Sequence, residues 1–209
     1  MAIAQRKAPW WRRHHISSAN RVVIALYSDA LSLMNATRQL TTRGCPPDLI
    51  SALGRIHLAG ADSLGIYSLK LGGSMRAWGE RGVYWSALWG ILEGPCGLFF
   101  LPGIGPIAAA GYLAESITGG SAVDAGMLTG LADMTHLEIG LRRAGIPDPE
   151  SQRLRVLIRQ GNCLLMLRGA RPDLAKWRQM LEACGPLEIG ECPRAFPLHA
   201  AGDLPVTTA

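Results

Sequence analysis

The chain lacks the signatures of several common protein classes. Its five cysteines are an odd number with no CxxC spacing, which argues against a disulfide framework or a zinc module and favours a reducing cytoplasm. No GxGxxG, phosphate-loop, HExxH or GxSxG motif occurs, so we expect no enzyme, no cofactor and no bound metal. The basic N-terminus has no apolar run followed by a cleavage site, so we expect no secretory signal.

Charged side chains are also scarce. They make up 18% of the chain, below the roughly 25% typical of soluble proteins, and none occurs from Gly94 to Ala114. The hydrophobic share is 48% and the mean hydropathy is +0.15. The net charge of +5 suits an anionic membrane surface or nucleic acid, but the basic residues cluster mainly in the first thirteen positions. We therefore expect a membrane-associated or heavily oligomeric protein without a nucleic-acid partner.

Small residues recur at every fourth position on both sides of the uncharged stretch. This spacing places each set on one helix face, where small side chains let two backbones approach closely. The two sets, which we expect to pack the hairpin and its oligomer, are Gly82, Ser86, Gly90 and Gly94, then Ala110, Ala114, Thr118, Ala122, Gly126 and Gly130. The bend between them consists of Pro102, Gly103, Ile104, Gly105 and Pro106, which can hardly continue a helix. The pattern predicts a Gly/Ala-zipper helical hairpin over residues 73–133.

An imperfect internal repeat flanks this segment. Residues Val22–Pro46 and Cys163–Pro186 each begin with a short apolar run suited to a buried strand and continue, after a break, as an amphipathic helix. A second strand is expected after each helix. In the second copy it is Leu187–Glu191. In the first copy it falls within Ile50–Leu71, with Arg55–Leu58 and Gly65–Leu69 as candidates.

A further helix is expected over Asp148–Gln160, with Leu154, Leu157 and Ile158 facing inward. Together these elements predict an α+β fold, a split ferredoxin-like (βαβ…αβαβ) sandwich with the apolar hairpin inserted between its halves. The expected segments are a flexible tail (1–20), the first half of the α/β frame (21–72), the hairpin (73–133), the second half (134–192) and a disordered tail (193–209).

The centre of the chain resembles bacterial general-stress or heat-induced proteins of unassigned biochemistry. The residues that carry the likeness are the tract from Trp78-Gly79 through Tyr84–Gly90 to Phe99–Pro106, together with Gly145-Ile146-Pro147 and Leu167-Arg168-Gly169. The likeness spans about residues 20–190 and implies a glycine-rich apolar centre within an α/β frame. It also implies a protein that looks like a membrane protein by its hydropathy, and it gives no catalytic residues to transfer to this chain.

The predicted hairpin is long enough to enter a bilayer. An arm from Val83 to Leu101 would run on the order of 28 Å, close to the ~30 Å of hydrocarbon. The residues expected at the membrane interface are Trp78, Trp85, Trp89, Arg76 and Arg81. We expect the frame to face the cytoplasm at a bacterial inner membrane, with a cytoplasmic assembly as the alternative.

Two acidic residues stand at equal distances from the predicted bend. Glu93 and Glu115 are each eleven residues from Ile104, so in an antiparallel helical hairpin they would lie at one depth and face each other. Paired carboxylates in a poorly solvated place share a proton or take a cation. The simpler interpretation is that each points to water or pairs with an arginine.

The sequence thus predicts a non-enzymatic, membrane-associated stress-type protein whose hairpin inserts in lipid or drives homo-oligomerisation. The alternative is a soluble, self-assembling structural protein, and the third hypothesis is a proton or metal conduit through Glu93 and Glu115. We expect membrane lipid and further copies of the chain as partners, and the sequence identifies no small-molecule substrate.

Overall fold

The computed structural model describes residues 20–56, 79–101, 103–118 and 136–193. Several sequence predictions fall outside these residues: both tails, the candidate strand Gly65–Leu69, half of Arg55–Leu58, and part of the hairpin with its return arm. Individual residues outside the described ranges are Arg76, Trp78, Pro102, Ala122, Gly126 and Gly130.

The described residues form a mixed α+β fold around one six-stranded antiparallel sheet. The strands are β1 (Asn20–Tyr27), β2 (Ile50–Arg55), β3 (Cys96–Leu101), β4 (Gly105–Ala110), β5 (Cys163–Ala170) and β6 (Glu188–Pro193). The helices are α1 (Ala30–Thr42), α2 (Gly79–Leu92), α3 (Tyr112–Thr118), α4 (His136–Arg143), α5 (Asp148–Arg159) and α6 (Arg171–Ala183). In space the strands run β3-β4-β2-β5-β1-β6, each antiparallel to its neighbours. The predicted α+β class is confirmed.

Helices cover both faces of this sheet. Alternate residues of a strand point to opposite faces, and in β1 they enter two separate cores. Val23, Ala25 and Tyr27 pack with α1, α2 and α6, whereas Val22, Ile24 and Leu26 pack with α3, α4 and α5. Burial on both sides explains why β1 and β5 are nearly continuous apolar runs rather than alternating ones. Each fully buried Val, Ile or Leu side chain contributes roughly 1.5–3 kcal/mol.

Each copy of the internal repeat folds as a strand followed by a helix. The copies are β1 with α1 and β5 with α6, and their strands pair over their full length, from Asn20 opposite Ala170 to Tyr27 opposite Cys163. The second copy continues into β6, close to the predicted position. In the first copy the return strand is β2, which begins before the candidate Arg55–Leu58. The expected helix over Asp148–Gln160 is present as α5, with Leu154 and Ile158 fully buried.

The predicted helical hairpin is wrong at its centre. Helix α2 ends at Leu92, and the residues on either side of the bend form β3 and β4, which pair from Cys96 opposite Ala110 to Leu101 opposite Gly105. A short apolar run bounded by glycine and proline fits a buried strand as well as a helix, and the aromatic residues of β3 favour the strand. Gly103, at φ +74°, belongs to the turn between two strands rather than between two helices.

The small residues consequently have a different role from the predicted helix–helix contact. In α2, Ser86 and Gly90 are exposed. The buried face carries Trp85 and Trp89, 1% and 7% exposed, which corrects their predicted place at a membrane interface. Trp85 lies over Gly54 of β2, where an added Cβ would stand 3.0 Å from Cζ2 of the indole. Small residues in the sheet therefore make room for bulky residues of the helix.

The remaining predicted packing residues are distributed over several elements. Gly82 and Arg81 lie in α2, Gly94 follows it, Ala110 ends β4, and Ala114 and Thr118 lie in α3, while Gly105 and Pro106 begin β4. Ala110 and Ala114 are buried in the cores on opposite faces of the sheet. Within the described residues, no helix has both the length and the apolar composition needed to cross a bilayer.

Candidate functional site

A cavity of about 470 Å³ lies at one end of the sheet, where β2 and β3 begin and β4 and β5 end. Cavities of several hundred Å³ with a few converging polar groups commonly bind small molecules. We call it the sheet-end cavity. Its described lining residues are Pro47, Asp48, Leu92, Glu93, Gly94, Pro95, Gly111, Tyr112, Glu115 and Arg168.

The most unusual lining residue is Arg168. It lies in the otherwise apolar strand β5, it is only 8% exposed, and its guanidinium carbon stands 3.4 Å from the centre of the Tyr112 ring. Its Nη1 is buried and has no hydrogen-bond partner among the described residues. None of the ion pairs found among them includes Arg168. A buried cationic donor without an acceptor is costly and calls for an explanation.

The backbone at the junction of β4 and α3 brings Tyr112 to this place. Gly111 has φ +71° and donates its N–H to the carbonyl of Pro95 at 2.7 Å. A Cβ here would contact the carbonyl oxygen of Ile50 and would lie 2.9 Å from Ser51 Oγ. Only glycine satisfies both conditions. Because Tyr112 and Glu115 are three residues apart on α3, they lie on the same side of that helix.

The loop after α2 contributes Glu93. Its φ of +47° is the sole positive value for a non-glycine residue in the described ranges, and its N–H donates to the carbonyl of Trp89 at 3.1 Å. Glu93 and Glu115 both line the sheet-end cavity. The sequence predicted that they would face each other across a helical hairpin, but a loop and a short helix beside a β-hairpin bring them to the cavity instead.

A third carboxylate comes from the turn that precedes β2. Asp48 lies in a 3₁₀ turn over Pro47–Leu49, so the described lining residues include three carboxylates and one guanidinium. Leu92, Pro95 and the Tyr112 ring supply apolar surface. No three His, Cys, Asp or Glu side chains in the described parts of the chain are grouped to hold a metal ion. The wall is thus chemically suited to organic groups of both charges.

Burial affects the acidity of four of the cysteine thiols. Burial raises the pKa of Cys45 to about 12, and burial also raises the pKa of Cys96, Cys184 and Cys192. Since the thiolate is the nucleophilic form, the raised pKa values of these four thiols favour the protonated, less nucleophilic form near neutral pH.

Comparison with known proteins leaves the chain without an assigned relative. No protein-family model, no curated protein and no solved structure matches it. The resemblance to general-stress proteins therefore stays a prediction from sequence.

Sequence reasoning singled out Glu93 and Glu115 but missed Asp48, Tyr112 and Arg168. One signal was available for Arg168, because a charged residue interrupts an apolar run that is otherwise buried on both faces of a sheet.

Proposed function

We propose that this chain is a non-enzymatic binding protein whose sheet-end cavity takes a small organic molecule. The observation that carries the proposal is Arg168, a charged side chain only 8% exposed that lines the cavity and whose enclosed Nη1 has no hydrogen-bond partner in the described residues. A charge of this kind is tolerated in binding sites because the ligand completes its hydrogen bonds. The sequence identified no small-molecule substrate, so the cavity adds a partner class that the sequence did not predict.

Binding is preferred to catalysis because of the side chains in the wall. Among its described residues the cavity has no serine, cysteine, histidine or lysine. These residues therefore supply no serine, cysteine or lysine nucleophile and no histidine base.

A fragment screen tests this function. Small polar molecules would be added to the purified chain and to Arg168→Met, with binding followed by protein-detected NMR. Arg178→Met is the matched control, because Arg178 forms ion pairs with Glu182 and Glu191 away from the cavity. We expect ligands whose shift changes concentrate on the cavity residues of the wild type and the control but disappear in Arg168→Met. If no fragment contacts the cavity, or if every ligand survives the loss of Arg168, the proposal fails.

A second proposal is self-association through the edge of the sheet. Strand β3 is outermost in the strand order, and its six residues Cys96–Leu101 carry no charge. Charged and proline residues protect exposed edges, and the opposite edge strand β6 has Glu188, Glu191 and Pro193. Pairing of β3 with β3 of a second copy would extend the sheet. Concentration-dependent sizing, with hydrogen-exchange protection of the β3 amides in the multimer only, would support this pairing; a monomer at all concentrations would refute it.

We also propose that the two strand–helix units form a split ferredoxin-like frame. The order β6-β1-β5-β2, with α1 and α6 on the same side, supports this architecture. In this proposal β3, β4 and α2–α5 are additions that widen the sheet and cover its second face.

Insertion into a membrane stays a prediction from the sequence. Carbonate washing of the membrane fraction, followed by detergent extraction, tests it: protein that resists carbonate and requires detergent would establish insertion. Protein recovered without detergent would contradict it.

A further inference from the structure

We infer that the ligand of the sheet-end cavity is a small aliphatic amino acid that presents its carboxylate to Arg168 and an ammonium group to the acidic side of the wall. This inference rests on the proposed binding function and assigns a chemical class to its ligand.

The anion-binding part is built around Arg168. A guanidinium offers planar donors that match a carboxylate, and burial strengthens the resulting hydrogen bonds. The Tyr112 ring, 3.4 Å below the guanidinium carbon, occupies one face of that plane. The guanidinium is therefore restricted in orientation, and it can offer its edge to a ligand. Arg168 keeps 8% of its surface exposed and lines the cavity, and a ligand carboxylate would contact that accessible part of the side chain.

The cation-binding part consists of Asp48, Glu93 and Glu115. These residues come from three separate elements, a 3₁₀ turn, the loop after α2, and helix α3. A carboxylate accepts hydrogen bonds only, so each of these side chains can accept from the N–H donors of an ammonium group.

The wall also has an apolar part. Leu92, Pro47 and Pro95 line the same cavity, so they would supply apolar contacts for a short methylene chain of the ligand. Because carboxylates outnumber the guanidinium, a ligand with a second ammonium is favoured over one with a second carboxylate. A basic amino acid such as lysine combines all of these features.

Four related probes separate the contributions. L-lysine carries a carboxylate and two ammonium groups, 6-aminohexanoate carries one of each, 1,5-diaminopentane lacks the carboxylate, and hexanoate lacks the ammonium. Isothermal titration of the full chain should give tighter binding, by tenfold or more, for the first two probes than for the last two. Loss of one charged contact of this kind commonly costs a factor of this size.

Variants assign each charge to its residue. Arg168→Met should weaken lysine to the affinity of 1,5-diaminopentane and leave the diamine itself unchanged. Glu93→Gln and Glu115→Gln should weaken lysine and the diamine but not hexanoate. Arg178→Met should change none of the affinities, and thermal melts of every variant would establish that it is folded.

The outcomes distinguish the ligand class from the binding function. If hexanoate equals lysine, or the diamine equals lysine, the two-charge inference is wrong. If none of the four probes binds but other fragments occupy the cavity in the NMR screen, the ligand class is wrong and the binding function stands. If nothing occupies the cavity, both are wrong.

Discussion

Two glycines with almost the same backbone conformation allow the construction of the sheet-end cavity to be tested. Gly111 has φ +71° and Gly103 has φ +74°. At Gly103 an added Cβ would meet no atom within 4 Å. At Gly111 it would meet the carbonyl oxygen of Ile50 and would lie 3.1 Å from the Cα of Ser51, so the backbone of β2 would have to move.

The expected losses of stability follow from this difference. A left-handed backbone costs an L-residue about 1–2 kcal/mol, and both alanine variants incur this cost. Gly111→Ala also displaces a packed strand, which costs about 1–3 kcal/mol more. The entropy that alanine removes from the unfolded chain is common to both variants and cancels in the comparison. For a domain of this size about 1 kcal/mol lowers Tm by roughly 2–4 °C.

Denaturant titrations and thermal melts of the two variants provide the measurement. The account predicts that Gly111→Ala loses about 1–3 kcal/mol more than Gly103→Ala, with a correspondingly lower Tm. Equal losses in the two variants would show that α3 does not begin against the backbone of β2, and the position assigned to Tyr112 would then be wrong.

Three further predictions concern single residues. Arg168→Met should leave the free energy of unfolding of the ligand-free protein unchanged or raise it by up to about 2 kcal/mol. The reason is that an unpaired buried donor destabilises the fold by more than the contact with the Tyr112 ring stabilises it. A clear loss of stability in a urea titration would make Arg168 a structural residue. Because burial raises the pKa of Cys45 to about 12 and raises that of Tyr27, their neutral forms stabilise the fold below pH 9 and this contribution is lost as the pH rises further. Stability should thus fall as the pH rises from 9.0 toward about 12, less steeply in Cys45→Ala, and an identical slope would count against the buried thiol. Asp29 accepts the Ser32 N–H at the start of α1 at 2.8 Å, so Asp29→Ala should cost about 1 kcal/mol and Asp29→Asn much less. Hydrogen bonds from Ser28 and Ser32 lower the pKa of Asp29, so its contribution should disappear as the pH falls below 3.8.

Local sequence patterns were informative where the strands are buried on both faces. The runs beginning at Val22 and Cys163 are continuous and apolar, and each is followed by an amphipathic helix, so the strand–helix units of the repeat could be predicted. The helix beginning at Asp148 was equally predictable, because Pro147 and two acids mark its start.

The centre of the chain could not be read in the same way. Four-residue spacing of small side chains is expected for a close helix–helix contact, but Ala108 and Ala110 of β4 lie in the same sheet–helix core as Trp85, and at Gly54 of β2 a Cβ would meet Cys163 Sγ at 2.6 Å and Trp85 at 3.0 Å. The spacing indicates close packing, but it does not indicate whether the packed elements are helices or strands. That information is not present in the local sequence.

The candidate site was predictable in part and for the wrong reason. Glu93 and Glu115 stood out because they interrupt an apolar region, but the hairpin geometry that paired them does not exist. Arg168 and Asp48 are distant in sequence from both, and only the order of the strands brings them to one end of the sheet.

The central claim is that Arg168 is held ready for a ligand carboxylate. NMR of the guanidinium N–H groups of Arg168 and of the Tyr112 ring, recorded during titration with L-lysine, tests it directly. The account predicts that the Arg168 N–H signals move downfield as they acquire an acceptor and become slower to exchange with water, while Tyr112 shifts along the same binding curve. Arg168 signals that stay in place while lysine binds elsewhere, or does not bind, would contradict it.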